Sequence, residues 1–297
     1  MRKIEKDFYQ IPKNLKDCAK NNESHLLESK EVNADCYKKA KDDLEKLYHK
    51  KCAYCESKYQ TTSSTWIEHY RPKKARENKE KPEYNHSGYH WLAYEWSNLL
   101  PTCENCNRPK SNKFPLLDES QRVKEPTLLS DGKMDKSKNL LNETPLKNEL
   151  AMIINPEIDE PIDFFFFEID KNKKGINIIG TDEQERGNTT IDICKLNRVA
   201  LIIDRQQRVI DDIIEMFDLI FPLKDEKQNF EKVLNIIFQN FHEKANNNCL
   251  EYTLLRKLII IPIYFEKIVC PFIKDKNQRQ IILKAYHNFF FENRQKF

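Results

Sequence analysis

The stretch WSNLLPTCENCNRPKSNKFPL, residues 96–116, decides how this chain is read. It sets Cys103 and Cys106 two residues apart, with Asn107 directly after them and Lys110 three positions further on. A thiol pair this tight serves a metal, a disulfide or a redox centre. A second pair narrows the choice. In KCAYCES, Cys52 and Cys55 repeat the Cys-x-x-Cys spacing, with 47 residues between the two pairs. Two thiolates three positions apart converge on one ion through a tight turn, and a second such pair supplies the opposite edge. Cys52, Cys55, Cys103 and Cys106 are therefore the expected ligand set of one tetrahedral structural zinc ion. A redox motif would need only one pair. The other five cysteines (Cys18, Cys36, Cys194, Cys249 and Cys270) stand alone and read as small, mostly buried apolar residues.

Around this framework the composition sets limits. The 297 residues leave room for one large domain or two ordinary ones. Hydrophobic residues make up 39% and charged residues 33%, enough to fill a core under a highly charged surface. No run of about 18 uncharged apolar residues offers a membrane span. The opening MRKIEKDFYQIPKN lacks the apolar core of a signal peptide. A cytoplasmic protein is expected, in which structural disulfides are disfavoured. The net charge of +3 is unevenly spread: Lys50 to Pro115 carries 12 Lys/Arg against 7 Asp/Glu, and the remainder 38 against 40. The positive excess lies with the paired cysteines and fits a polyanionic partner, although solvated lysines would give the same count.

The elements follow from periodicity and turn chemistry. Residues 1–30 are polar with scattered Ile4, Phe8, Ile11 and Leu15, which reads as a short strand and turn before an irregular stretch. From about Val32 to Lys50, Tyr37, Ala40, Leu44, Leu47 and Tyr48 recur at helical steps and predict an amphipathic helix. TTSSTWIEHYRPK reads as a strand entering a loop, and YHWLAYEWSNLLP as a short helix followed by a strand. Asp118 to about Lys147 has the polarity of a linker or surface excursion. The expected division is thus 1–140 and 141–297. PIDFFFFEIDKNKKGINIIG predicts a hairpin turning at Lys171–Gly175, its four phenylalanines suiting a buried strand. From Thr189 onward helical spacing dominates, with helices expected near 225–245, 250–268 and 276–294. There is no internal repeat. The class is α+β with a mostly helical C-terminal half.

Between the cysteine pairs lie IEHYRPK and EWSNLLP, carrying Glu68-His69 and Asn98, and Asn107 follows the last cysteine. In this order the sequence resembles the HNH endonucleases. Their ββα-metal site, often held between two zinc knuckles, places an acidic residue and His on the first strand, Asn near the second, and His or Asn at the helix start. The last position is Asn107 here, as in HNN variants. The likeness extends through YHWLAYEWSNLLPTCENCNRPKSNKFPL, IINPEIDEPIDFFFFEI and RGNTTIDICKLNR, loosely residues 34–205. Over that span the chain looks like the PtuB-type HNH endonucleases of Septu and retron-linked anti-phage systems. The resemblance implies a zinc-stapled ββα-metal nuclease module, and an antiviral effector working with an ABC/SMC-like ATPase of the PtuA type.

The residue types suit phosphodiester hydrolysis, which needs a deprotonated water and something to neutralise charge growing on phosphate and leaving oxygen. His69, with a pKa near neutrality, is the expected general base. Glu68 and Asn107 could give oxygen ligands to a catalytic Mg²⁺ or Mn²⁺. Adjacent strand residues face opposite sides, so Glu68 and His69 need local twist to serve one site. By the resemblance Asn98 fixes the loop and orients the histidine. Lys110, Arg71 and Lys73 are expected to hold phosphates. DNA is the first substrate expected and RNA the second. The competing expectation is a non-catalytic, zinc-stabilised nucleic-acid-binding or scaffold subunit in which Glu68-His69 is incidental. His86 and His90 read as core or surface histidines.

Overall fold

The computed structural model describes residues 1–59, 65–77, 79, 85–172 and 175–293. They form two compact units, one of residues 2–164 and 180–196, the other of residue 1, 165–179 and 197–297. Residues 141–164 and 180–196, which composition placed in the C-terminal half, thus belong to the first unit. No helix among the described residues is long and apolar enough to cross a membrane.

The first unit opens differently from the expected strand and turn: Lys13–Ser29 is a helix, α1. Its surface is so polar that only Leu15 and Leu26 are buried, which hid the helical period. The next helix is broken where one was expected, into α2 (Ala34–Tyr37), a tight turn and α3 (Lys41–Leu47). Asn33 caps it by accepting from the Asp35 amide. Cys18 of α1 and Cys36 of α2 are bonded to each other with Cα atoms 5.6 Å apart. This corrects the reading of both as isolated, because the turn at residues 30–33 folds α2 back onto α1. Of the others, Cys194 and Cys270 are buried as expected, and Cys249 is exposed.

Two short antiparallel strands carry the centre of this unit, β1 (Trp66–His69) and β2 (Leu99–Thr102), paired Trp66 to Thr102 and His69 to Leu99. Residues 61–64, expected to start β1, lie outside the described residues. β2 leads through Cys103 into helix α4 (Glu104–Lys110). The segment from Asp118 to Lys147 corrects the linker reading. It has little regular structure, yet Met134, Leu140, Leu141 and Leu146 are buried. Its Arg122 donates to Tyr89 Oη at 2.7 Å and to the Phe114 carbonyl at 2.8 Å. Helix α5 (Arg186–Cys194) completes the unit and packs on α4.

The second unit holds the hairpin and the helices. Strands β3 (Phe165–Ile169) and β4 (Ile176–Gly180) pair as expected, with Phe165 and Phe167 buried and Phe166 half-buried between them. Lys173 and Lys174 of the expected turn lie outside the described residues. A continuous helical run follows, from α6 (Val199–Arg205) through one wider π-type turn into α7 (Asp212–Ile220). Then come α8 (Lys227–Asn246), α9 (Thr253–Ile259), the short α10 (Pro262–Tyr264) and α11 (Lys276–Asn293). The helical half is therefore as expected. Its core is aromatic: Phe265 stacks on Tyr286 at 4.1 Å, and Phe238 meets Tyr286 edge-on at 5.0 Å.

Candidate functional site

The four expected cysteines meet. Their sulfurs all lie within 4.8 Å of one another, with Cys55 and Cys103 at 3.7 Å. Four thiolates each about 2.3 Å from one tetrahedral ion would stand ~3.8 Å apart, so the cluster could hold a zinc ion. Local backbone explains the convergence. In the first pair the Glu56 amide donates back to the Cys52 carbonyl at 3.0 Å. Glu56 takes the left-handed conformation that closes such a turn, φ 62°. In the second pair Cys103 caps α4, which puts Cys106 one turn along the same face. The Ala53 amide donates to the Pro101 carbonyl at 2.8 Å and ties the first turn to β2. Burial pushes the Cys52 thiol well above its ordinary pKa, so a thiolate here needs a cation beside it.

Glu68 and His69 sit at the end of β1 and turn to different neighbours. Glu68 is buried and faces α4. One carboxylate oxygen accepts from Lys110 Nζ and the other from Asn107 Nδ2 at 2.7 Å. Asn107 also donates to Thr102 Oγ1 at 3.2 Å. Burial raises the Glu68 pKa, and Lys110 beside it pulls the other way. As placed, Asn107 offers Glu68 its nitrogen; its oxygen would serve a cation only with the amide turned over.

His69 is held from two sides. Its Nε2 lies 3.0 Å from the Ala93 carbonyl, which fixes Nε2 as the protonated nitrogen. Nδ1 is then the free lone pair, and Lys73 Nζ donates to it at 3.2 Å. Tyr37 meets the imidazole edge-on at 4.7 Å. Burial and then the Lys73 charge push the His69 pKa well below its ordinary value, so the ring is neutral at pH 7. Burial also lowers Lys73, to about 8. Lys110 ties the two residues together, because besides the Glu68 carboxylate it donates to the His69 backbone carbonyl at 3.2 Å.

Asn98 is fully buried, and none of its side-chain hydrogen bonds goes to His69. Its Oδ1 accepts from the Arg71 amide at 2.8 Å, and its Nδ2 donates to the Arg71 carbonyl at 3.0 Å and the Leu92 carbonyl at 3.2 Å. It therefore clamps the chain leaving β1 to the loop whose next residue, Ala93, orients the His69 imidazole.

Two of the three expected phosphate ligands are buried against carboxylates instead. Arg71 is buried, with Nε on Glu149 at 2.6 Å and Nη2 on the Leu146 carbonyl at 2.7 Å. Lys110 has no exposed side-chain surface. Neither presents a cation to solvent, since each has a carboxylate partner far off in sequence. Lys73 lines an open cleft of about 710 Å³, together with Lys30, Lys74, Tyr37 and Asn112, whereas Arg71 borders a separate pocket of only about 100 Å³. In the sequence Tyr37 is one of the apolar positions of a helical repeat, Lys74 belongs to the run of basic residues around Lys73, and nothing marks Lys30 or Asn112. His86 is structural, with Nε2 donating to the Asn112 carbonyl at 2.7 Å and Nδ1 accepting from the Gly88 amide at 3.0 Å.

No family model and no solved structure matches the chain. Two curated proteins of Bacillus mycoides (strain KBAB4) do. Septu protein PtuB is 34% identical over 190 residues, which is 62% of this chain and 56% of that protein. Septu protein PtuA is 29% identical over 164 residues, 55% of this chain and 20% of that protein. The chain thus matches little more than half of one relative's length and a fifth of the other's. Over those 190 residues the chain is similar in sequence to a PtuB-type Septu protein.

Proposed function

We propose that the chain is a metal-dependent HNH endonuclease that hydrolyses nucleic-acid phosphodiester bonds in bacterial anti-phage defence. The observation that carries this reading is the neutral, oriented imidazole of His69 at the end of a strand pair that leads into a helix. Nε2–H on the Ala93 carbonyl leaves Nδ1 as the basic atom. Nδ1 takes a proton from water; the water oxygen bonds to phosphorus as the ester bond breaks, and solvent protonates the leaving oxygen. Asn98 acts on the base through the Leu92–Ala93 backbone. Glu68 and Asn107 would hold a Mg²⁺ or Mn²⁺ ion through their side-chain oxygens, with the Asn107 amide turned over and Lys110 drawn off Glu68. Bound there, the ion would neutralise charge growing on the phosphate and the leaving oxygen. Lys30, Lys73 and Lys74 give the cleft the charge of a phosphate-backbone site.

The similarity to PtuB and PtuA supports a place in a Septu system, with an ABC/SMC-like ATPase of the PtuA type as partner and the cytoplasm as the site of action. DNA is the favoured substrate and RNA the alternative. The test is digestion of plasmid and RNA by the full chain, alone and with its ATPase, with divalent metal or EDTA. His69→Ala should lose on the order of 10²–10⁴-fold in rate while keeping its fold and nucleic-acid binding. A folded His69→Ala protein cutting as fast as the wild type would refute the assignment of His69 and put the active site elsewhere; a wild-type chain that cuts nothing with its ATPase and divalent metal would leave a non-catalytic binding or scaffold role.

A further inference from the structure

Lys73 stands where a general base should be free. Its Nζ donates to His69 Nδ1, the atom that must receive a proton from water. Both groups lie against one ring: Tyr37 packs edge-on to the imidazole at 4.7 Å, and the Lys73 ammonium sits 4.5 Å over the Tyr37 ring. Among the described residues no carboxylate forms an ion pair with Lys73, although Glu68 lies near enough to attract it; its direct contacts are a neutral nitrogen and an aromatic face. An anion would be the better acceptor, because hydrogen bonds between ionised groups are roughly twice as strong as neutral ones. The cleft beside it is built to bring one. Lys30, at the end of α1, and Lys74 are exposed cations on its walls, and Asn112 adds a polar side chain. Glu31 is the one acid on the lining and is outnumbered by three lysines.

We propose that Lys73 is a substrate-displaced stopper of the base. In the empty site its ammonium occupies the Nδ1 lone pair. A backbone phosphate of a nucleic-acid strand, entering between Lys30, Lys74 and Asn112, draws the ammonium off and opens His69 to water. The role of His69 as base rests on the function proposed above; the contact and its release do not. The arrangement ties the base to occupancy by a polyanion, so a diester without flanking phosphates is a poor substrate for more than want of affinity.

Two measurements on the full chain test this. The first needs no catalysis. Histidines carrying ¹⁵N are observed without divalent metal, and His69 Nδ1 is identified by its loss in His69→Ala. Lys73→Met should shift that resonance toward the position of a nitrogen that accepts no hydrogen bond. A saturating ten-nucleotide oligonucleotide should move the wild type away from its empty-site position and leave Lys73→Met nearly still. An Nδ1 signal identical in wild type and Lys73→Met, or unmoved by the oligonucleotide, for want of binding or otherwise, overturns the proposal. The second measurement uses metal and two substrates. On bis(p-nitrophenyl) phosphate, Lys73→Met should raise kcat/KM several-fold; on long DNA it should raise KM. A loss of rate on both substrates would make Lys73 an ordinary phosphate ligand and overturn the stopper. If no substrate is cut by the wild type, the nuclease reading fails, and the resonance alone decides whether Lys73 is released by a phosphate chain.

Discussion

Lys110 shows how far a residue's meaning depends on a partner that the sequence does not mark. Three positions after Asn107, it reads as a phosphate contact. In the structure it is sealed against Glu68, 42 residues away, and against the His69 carbonyl. Its loss should therefore act on folding before binding. Removing one partner of a buried ion pair leaves a charge in a low-dielectric site, at a cost of about 3–5 kcal/mol. Lys110→Ala is expected to lower unfolding stability by that order in urea titrations. Glu68→Gln combined with Lys110→Met should recover a substantial part, because no lone charge remains. A Lys110→Ala protein of wild-type stability but weaker nucleic-acid binding would restore the surface reading. Glu68, His69, Asn98 and Asn107 can be picked out in the sequence because their order along the chain is itself the signal, and the structure sets them around the β1–β2 pair. Arg71 was not, for the same reason as Lys110: its partner Glu149 lies 78 residues on.

Elements were legible where apolar residues repeat at a fixed step. The helices after residue 189 follow from such repeats, and the β3–β4 hairpin from two apolar runs around a Lys/Asn/Gly turn. Helix α1 escaped because only two of its seventeen residues are buried, too few to print a period. The segment after Asp118 looked like a linker because its buried leucines are spaced irregularly among polar residues. Within the helical unit, α8 and α11 meet at a buried polar contact. His242 Nε2–H donates to Tyr286 Oη at 3.0 Å, and that hydroxyl donates to the Ile260 carbonyl at 2.6 Å. Burial lowers the His242 pKa from 6.5 to about 4. Between those values the unfolded chain takes up a proton that the folded chain refuses, so stability falls as pH drops from about 6.5 toward 4 and is level above that window on this account. His69 adds a slope of the same sign. His242→Gln keeps a donor for Tyr286 without a titrating ring, and should lose less stability than the wild type between pH 7 and pH 5. Equal losses in denaturant titrations at the two pH values would show that His242 does not titrate on unfolding.

At the scale of the whole molecule, the first unit depends on joining residues that are far apart in sequence. β1 and β2 are four residues each, and a two-stranded ribbon that short is marginal alone in water. The cysteine cluster supplies the missing constraint, because Cys52 and Cys55 precede β1 while Cys103 and Cys106 follow β2. An ion there pins both ends of the ribbon and fixes the start of α4, and with it Asn107 and Lys110 beneath Glu68. Metal binding should then be part of folding. The full chain is expected to carry about one zinc per molecule by elemental analysis. Cys103→Ser should lose the metal and lower the melting temperature, and a strong chelator should do the same to the wild type more slowly, at the rate of local opening. The damage should spread from the cluster: amide exchange should rise first in residues 52–57, 66–69 and 99–110, while α7, α8 and α11 of the other unit keep their protection. A metal-free chain with unchanged melting and exchange would mean that packing around Trp91, Leu100 and Phe114 holds the ribbon without an ion, and that the four thiols are only neighbours in a core.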